Sequence, residues 1–180
     1  MKVLVLHGSP RKNRNSDTLA RYFLNGLGES REQAIQHFYL NELTISPCQG
    51  CLSCETSEDH TCAILDDMQD IYAAFIQADL IVFATPMYWG YLTAQLKTAV
   101  DRMEALAWTH FRDKTFIVLI TYRFHCESAV AFFERISPHF GIELHVVTCR
   151  TWDENLRADI PITDCPEKLN QAYELGVSLR

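Results

Sequence analysis

The sequence predicts one three-layer α/β domain, a parallel sheet enclosed by helices on both faces. Three observations carry this reading. Five short apolar runs, at residues 2–7, 34–40, 79–84, 115–121 and 143–149, read as strands. Most are continuously apolar rather than alternating, as strands covered on both faces are. Every gap between them is long enough for a helix, the rhythm of repeated β-α-β units. A chain of 180 residues has room for one substantial domain and not for two.

The elements follow in order. After the first strand, Leu19, Tyr22, Phe23 and Leu27 mark an amphipathic helix. After the second comes an irregular segment, 43–62, with neither helical nor strand period. Met68, Ile71, Tyr72 and Phe75 then form a second stripe, with Asp66 or Asp67 placed to cap it. Leu92, Leu96, Val100, Met103 and Leu106 form a third, and Val130, Phe133, Ile136 and Phe140 a fourth. Lys97 and Arg102 read as solvated residues of the third helix, and Trp108 and Phe111 at its end as a contact between subunits of a homodimer or higher homo-oligomer. Residues 150–163 form a second long loop, and a last helix is expected from about Asp164, with Glu167 as a capping partner.

Composition narrows the function classes. Hydrophobic residues make up 48% of the chain, which excludes a disordered tail, and the net charge of -7 argues against nucleic-acid binding. No apolar run approaches the roughly 20 residues of a spanning helix, so no membrane role is expected. Gly8-Ser9-Pro10 interrupts the first apolar run before a signal-peptide core forms, and a cytoplasmic protein is expected. Seven cysteines in a reducing compartment read as ligands, redox groups or small buried hydrophobes. Cys126, Cys149 and Cys165 are scattered, whereas Cys48, Cys51, Cys54 and Cys62 cluster in the irregular segment.

Ligands of such a sheet bind beyond the carboxyl ends of the strands, so three loops carry the functional question. The first contains Ser9, Arg11, Lys12, Arg14, Asn15, Ser16 and Thr18 and opens a helix, a place where free amides receive a phosphate. It lacks both the glycine-rich dinucleotide fingerprint and the Walker pattern, and an ordinary solvated turn remains the alternative. The second, Thr85-Pro86-Met87-Tyr88-Trp89-Gly90-Tyr91, offers either an aromatic platform for a ring system or an apolar plug. The third is Thr121-Tyr122-Arg123-Phe124-His125. His7 reads as a packed structural residue, His125-Cys126 as a weak nucleophile pair, and His60 as a substitute metal ligand beside Cys62.

Gly8-Ser9-Pro10-Arg11 with Asn15-Ser16, the run 78–90, Ala94-Gln95-Leu96-Lys97 and Asp101-Arg102 together resemble the NADPH-dependent FMN reductase family, over about residues 2–102. The resemblance implies a flavodoxin-like fold with five parallel strands in the order 2-1-3-4-5. It implies FMN, with its phosphate on Ser9, Arg11, Asn15, Ser16 and Thr18 and its ring against Pro86, Met87, Tyr88 and Trp89. Thr121, Tyr122 and Arg123 would approach the ring from the other side. Two departures stand out: the third loop has none of the glycines common in the family, and Arg14 replaces the usual Gly or Ser. The expected chemistry is electron transfer from NAD(P)H or a reduced carrier to a quinone, flavin or other acceptor, with no catalytic side chain nominated.

The spacing Cys48-x2-Cys51-x2-Cys54-x7-Cys62 is similar to the compact motif of iron–sulfur flavoproteins, which implies a [4Fe–4S] cluster on those four thiolates. Zinc, free thiols and a Cys51–Cys54 disulfide remain open alternatives. Two other functions follow from the same residues: a non-enzymatic carrier exchanging electrons with ferredoxin-like partners, and a redox or metal sensor.

Overall fold

A computed structural model describes residues 1–28, 34–58 and 60–180. The chain runs β1 (Lys2–His7), α1 (Asn15–Leu27), β2 (Ala34–Tyr39), α2 (Ser53–Thr56), α3 (Met68–Gln77), β3 (Leu80–Tyr88), β4 (Tyr91–Leu92), α4 (Ala94–Arg102), α5 (Glu104–His110), β5 (Thr115–Tyr122), α6 (Glu127–Phe140), β6 (Glu143–Arg150), β7 (Trp152–Asp153), β8 (Ala158–Asp159) and α7 (Pro166–Ser178). Five parallel strands lie in the order β2-β1-β3-β5-β6, the 2-1-3-4-5 order expected. The sheet has a sixth member that the sequence did not suggest: β4 folds back antiparallel on the end of β3. No described helix is long and apolar enough to cross a membrane.

Burial explains the strand order. The apolar runs of β1, β3 and β5 are almost fully buried, whereas edge strand β2 is half exposed. One face of the sheet packs against α3, α4, α5 and α6 through Leu4, Phe75, Phe83, Leu96, Phe116 and Phe133. The other packs against α1 and α7 through Val5, Phe23, Val82, Leu119 and Leu169. Helices α1 and α7 meet at two glycines. A Cβ on Gly26 would lie 1.9 Å from the Tyr173 carbonyl oxygen, and one on Gly176 would lie 2.1 Å from that of Phe23. Only residues without a side chain allow the backbones so close.

Several local expectations change. Arg102 is not solvated: it is 2% exposed and paired with Asp66. Lys97 does remain at the surface, paired with Asp101 one turn on. Phe111 packs in the core against Phe75 and Phe116, which removes it from any subunit contact, while Trp108 stays 66% exposed. Asp66 caps α3 as expected, accepting from the Met68 amide at 3.1 Å, while Asp67 already has helical backbone angles and accepts from the Thr44 amide instead. Helix α7 starts at Pro166, two residues past Asp164 and close to the expected start, its ring pre-set for the first helical position. The loop 150–163 contains the small β7–β8 hairpin.

Candidate functional site: a pocket across three strand ends

One cavity of about 950 Å³ lies beyond the carboxyl ends of β1, β3 and β5, within the usual size range of small-molecule sites. The sheet order forces this convergence, because β1 pairs with β3 and β3 with β5. At its base, Gly8 donates to the Ala84 carbonyl at 2.9 Å and accepts from Thr93 Oγ1 at 2.7 Å. A Cβ on Gly8 would meet Thr85 Oγ1 at 2.9 Å. A bare backbone here draws the first two loops together.

Ser9, Arg11, Arg14, Asn15 and Ser16 line one end of the cavity; Thr18, also expected, does not. Ser9 Oγ accepts from the Arg11 amide at 3.1 Å and closes the turn. Arg14, the N-cap residue of α1, provides no side-chain cap, so the helix terminus offers its amides toward an anion. The loop is pinned from beneath. Asp17 accepts from the Asn13 amide at 2.7 Å and pairs with His7 Nδ1 at 2.9 Å. His7 Nε2 lies 3.0 Å from His37 Nδ1, and its ring stacks on Tyr39 at 4.2 Å. His7 is thus the structural residue expected. Asn15 also reaches across the cavity: its amide donates to the Ile160 carbonyl at 3.0 Å, and its oxygen accepts from the Ile162 amide at 3.0 Å.

Pro86, Met87, Tyr88, Trp89 and Gly90 form the middle of the cavity. Tyr88 pairs with Tyr91, and the two residues between them have φ of 50° and 74°, the signature of a tight hairpin turn with both central residues left-handed. A tryptophan in that conformation carries a backbone cost of about 1–3 kcal/mol. Trp89 is nonetheless fully exposed, at 104%. A strained, unburied indole at a pocket rim is better explained by ligand contact than by packing. Ser128 Oγ anchors this hairpin by donating to the Gly90 carbonyl at 2.5 Å.

Thr121, Tyr122, Arg123, Phe124 and His125 form the third wall. The sequence missed a fourth: Thr151, Asp159, Ile160 and Pro161. Arg123 grips Asp159 with two hydrogen bonds, at 2.7 and 2.5 Å. Two-residue strands carry no readable period, so the β7–β8 hairpin left no signal beyond the apolar trio 160–162. The His125-Cys126 pair dissolves. His125 is exposed beside Glu127, while burial pushes the Cys126 thiol up, away from nucleophilic use.

All seven cysteines are unbridged, which overturns a Cys51–Cys54 disulfide. Cys48 and Cys51 are exposed, and Cys54 and Cys62 pack partly against the core. Among the described residues, no three His, Cys, Asp or Glu side chains gather where a metal ion could sit. His60 turns Nδ1 to the Cys54 carbonyl at 2.9 Å. Four thiolates are a suitable set for a cubane cluster, but here they do not form its cage.

Fold and pocket together define a flavodoxin-like α/β domain, with a cationic helix terminus and an aromatic platform lining one cavity at the sheet's carboxyl edge. Residues 1–151 match the family model of NADPH-dependent FMN reductase, and the chain belongs to that family. Curated relatives include an iron–sulfur flavoprotein of Methanocaldococcus jannaschii, 36% identical over 106 residues (59% of this chain, 53% of that protein). Another, from Methanosarcina thermophila, is 35% identical over 114 residues (63% and 58%). The chain thus spans little more than half the length of these relatives. Among solved structures, an FMN-dependent NADH-azoreductase from Bacillus anthracis, in complex with FMN, superposes with TM-score 0.74 over 99% of both chains at 15% identity. An NAD(P)H:quinone oxidoreductase from Methanothermobacter marburgensis gives 0.67 at 18% identity, over 99% of this chain and 96% of that one.

Proposed function

We propose that this chain binds FMN and passes electrons from NAD(P)H to a small-molecule acceptor such as a quinone or flavin. One observation carries the reading: a single cavity joins a cationic, hydroxyl-lined helix terminus to a strained aromatic platform. Those two ends suit the phosphate and the ring of one flavin mononucleotide. When bound, the flavin supplies two-electron chemistry that no side chain offers. The protein's part is to hold and to screen. Ser9, Arg11, Arg14 and Ser16 and the α1 amides would bind the phosphate. Pro86–Gly90 would bear on the ring, and Tyr122–His125 would exclude water from its far side. Asn15 contributes by holding the fourth wall, and Thr18 does not line the cavity.

The test is direct. Removing two charge-assisted contacts in Arg11→Ala/Ser16→Ala should weaken FMN binding by at least about 100-fold, followed by flavin fluorescence. Unchanged affinity would put the phosphate elsewhere. Stopped-flow mixing of the flavin-loaded protein with NAD(P)H should bleach the flavin within a turnover. Indifference to NAD(P)H with rapid reduction by ferredoxin would instead make the chain an electron carrier.

A further inference from the structure

The fourth wall belongs to no part of the family match, which ends at residue 151, save Thr151 itself. It is nonetheless built into the pocket from both sides. Toward the third loop, the Thr151 amide donates to the Tyr122 carbonyl at 2.8 Å, and Arg150 Nε donates to the Arg123 carbonyl at 2.8 Å. Trp152 lies under the Arg123 guanidinium at 5.2 Å and against Phe124 at 5.4 Å. Toward the phosphate loop, the hairpin is tied by the two Asn15 hydrogen bonds.

Charge is distributed unevenly around this cavity. Arg11, Arg14 and Arg123 line it, and Asp159 is the one carboxylate among its described lining residues. Asp159 spends both oxygens on Arg123. The charge of Arg123 is therefore neutralised within the wall, while Arg11 and Arg14 have no carboxylate among the cavity's described lining residues left to pair with. The pair is about half exposed, with side chains 56% and 43% accessible. Its two parallel bonds hold the guanidinium in one orientation, so Arg123 is engaged by Asp159 before any ligand arrives. A planar molecule carrying an anionic group would have to break the fork and would face the Asp159 charge.

We propose that the β7–β8 hairpin is the acceptor-selecting wall of the pocket, and that Asp159, by occupying Arg123, reserves that end for uncharged planar acceptors. This rests on the oxidoreductase reading above. Specificity comes from a repulsive element placed against the wrong ligand as much as from attraction to the right one.

The experiment uses full-length, FMN-loaded protein and two non-reacting probes of equal ring size, 2-naphthol and 2-naphthalenesulfonate, titrated by calorimetry. Asp159→Asn should tighten the sulfonate about tenfold relative to the naphthol. Arg123→Gln/Asp159→Asn should lose that gain, because the freed guanidinium is gone, and this separates unmasked charge from a merely loosened hairpin. In kinetics, the shift should fall in KM for 1,2-naphthoquinone-4-sulfonate rather than in kcat, each acceptor being compared with itself across variants. An equal change for both probes, or a gain that survives in the double variant, overturns the assignment. If the unsubstituted protein fails to bind FMN, the oxidoreductase reading falls and takes this one with it. If it binds FMN and is reduced by NAD(P)H but the probe ratio does not move, only the selecting role of Asp159 falls.

Discussion

The Arg102 guanidinium meets the Asp66 carboxylate at 2.9 Å in a site where their side chains are 1% and 8% exposed. Arg102 also donates to the carbonyls of Ser46 at 2.8 Å and Ile64 at 3.1 Å. One residue at the end of α4 thus ties down both ends of the cysteine-bearing segment. Burial alone would raise the Asp66 carboxyl, but the Arg102 hydrogen bonds and the amides of Ser46 and Met68 hold it below the usual carboxylate range. Breaking a buried pair strands its partner. Arg102→Met should therefore cost about 3–5 kcal/mol in urea unfolding, and Arg102→Met/Asp66→Leu distinctly less. A carboxyl lowered in the folded state stabilises fully above the unfolded value near 4, and that stability is lost as pH falls through the folded value. Asp66→Asn should flatten that acid limb. A loss below about 1 kcal/mol for Arg102→Met would sink the account.

Beneath the loop between β1 and α1, Asp17 joins the Asn13 amide to the His7 imidazole. Asp17→Ala leaves both donors without that acceptor and frees the loop, so FMN affinity should fall about tenfold, together with a stability loss of about 2 kcal/mol. Thermal shift and flavin titration read the two effects separately; intact FMN affinity would refute the coupling.

His37 continues the same relay. Burial, then the neighbouring His7, lowers its ring below the ordinary histidine value, against a smaller raising effect of Asp17. The unfolded chain then binds more protons than the folded one across the window below about 6.5. Stability should rise with pH through that window and decline on acidification. His37→Gln should shallow the slope, and an unchanged slope would remove His37 from the relay.

How much of this was legible beforehand depended on whether the signal was periodic. The five main strands stood out because both faces of a central strand must be apolar, and their order fixed which loops converge. Arg102 was misread because its residue type outweighed its position. Leu96, Ala99 and Arg102 follow one another at helical spacing on a buried face, yet the partner that permits burial lies 36 residues away in an aperiodic segment. Asp159 and the Asn15 tether were hidden for the same reason: each is a long-range pairing with no local pattern. The four clustered cysteines were visible as spacing, but spacing does not decide whether thiols converge.

The contact between Gly26 and Gly176 sets how closely α7 approaches α1, whose first turn lines the cavity. Each missing Cβ would strike backbone, which has no rotamer by which to yield. Gly26→Ala should therefore cost about 3 kcal/mol despite alanine's better helix propensity. Chemical denaturation decides the sign, since a stabilised variant would mean that the helices separate freely.

The seven thiols should divide sharply in reactivity. Cys48 and Cys51 are exposed, whereas Cys126, Cys149 and Cys165 are buried. Burial, reinforced by the adjacent Cys165, pushes the Cys149 thiol up to about 12. At pH 8 it would hold on the order of a thousandfold less thiolate than an ordinary cysteine. Native-state alkylation read by mass spectrometry should label Cys48 and Cys51 first and leave the three buried thiols unmodified until the chain is unfolded. The same shift predicts an alkaline limb. The unfolded chain releases the Cys149 proton near about 8.5 while the folded chain keeps it, so stability should fall as pH rises beyond that value. Cys149→Ala should weaken this dependence. Early labelling of Cys149 in the folded protein would show that the strand end beneath the fourth wall opens readily, and the hairpin could not then serve as a fixed wall.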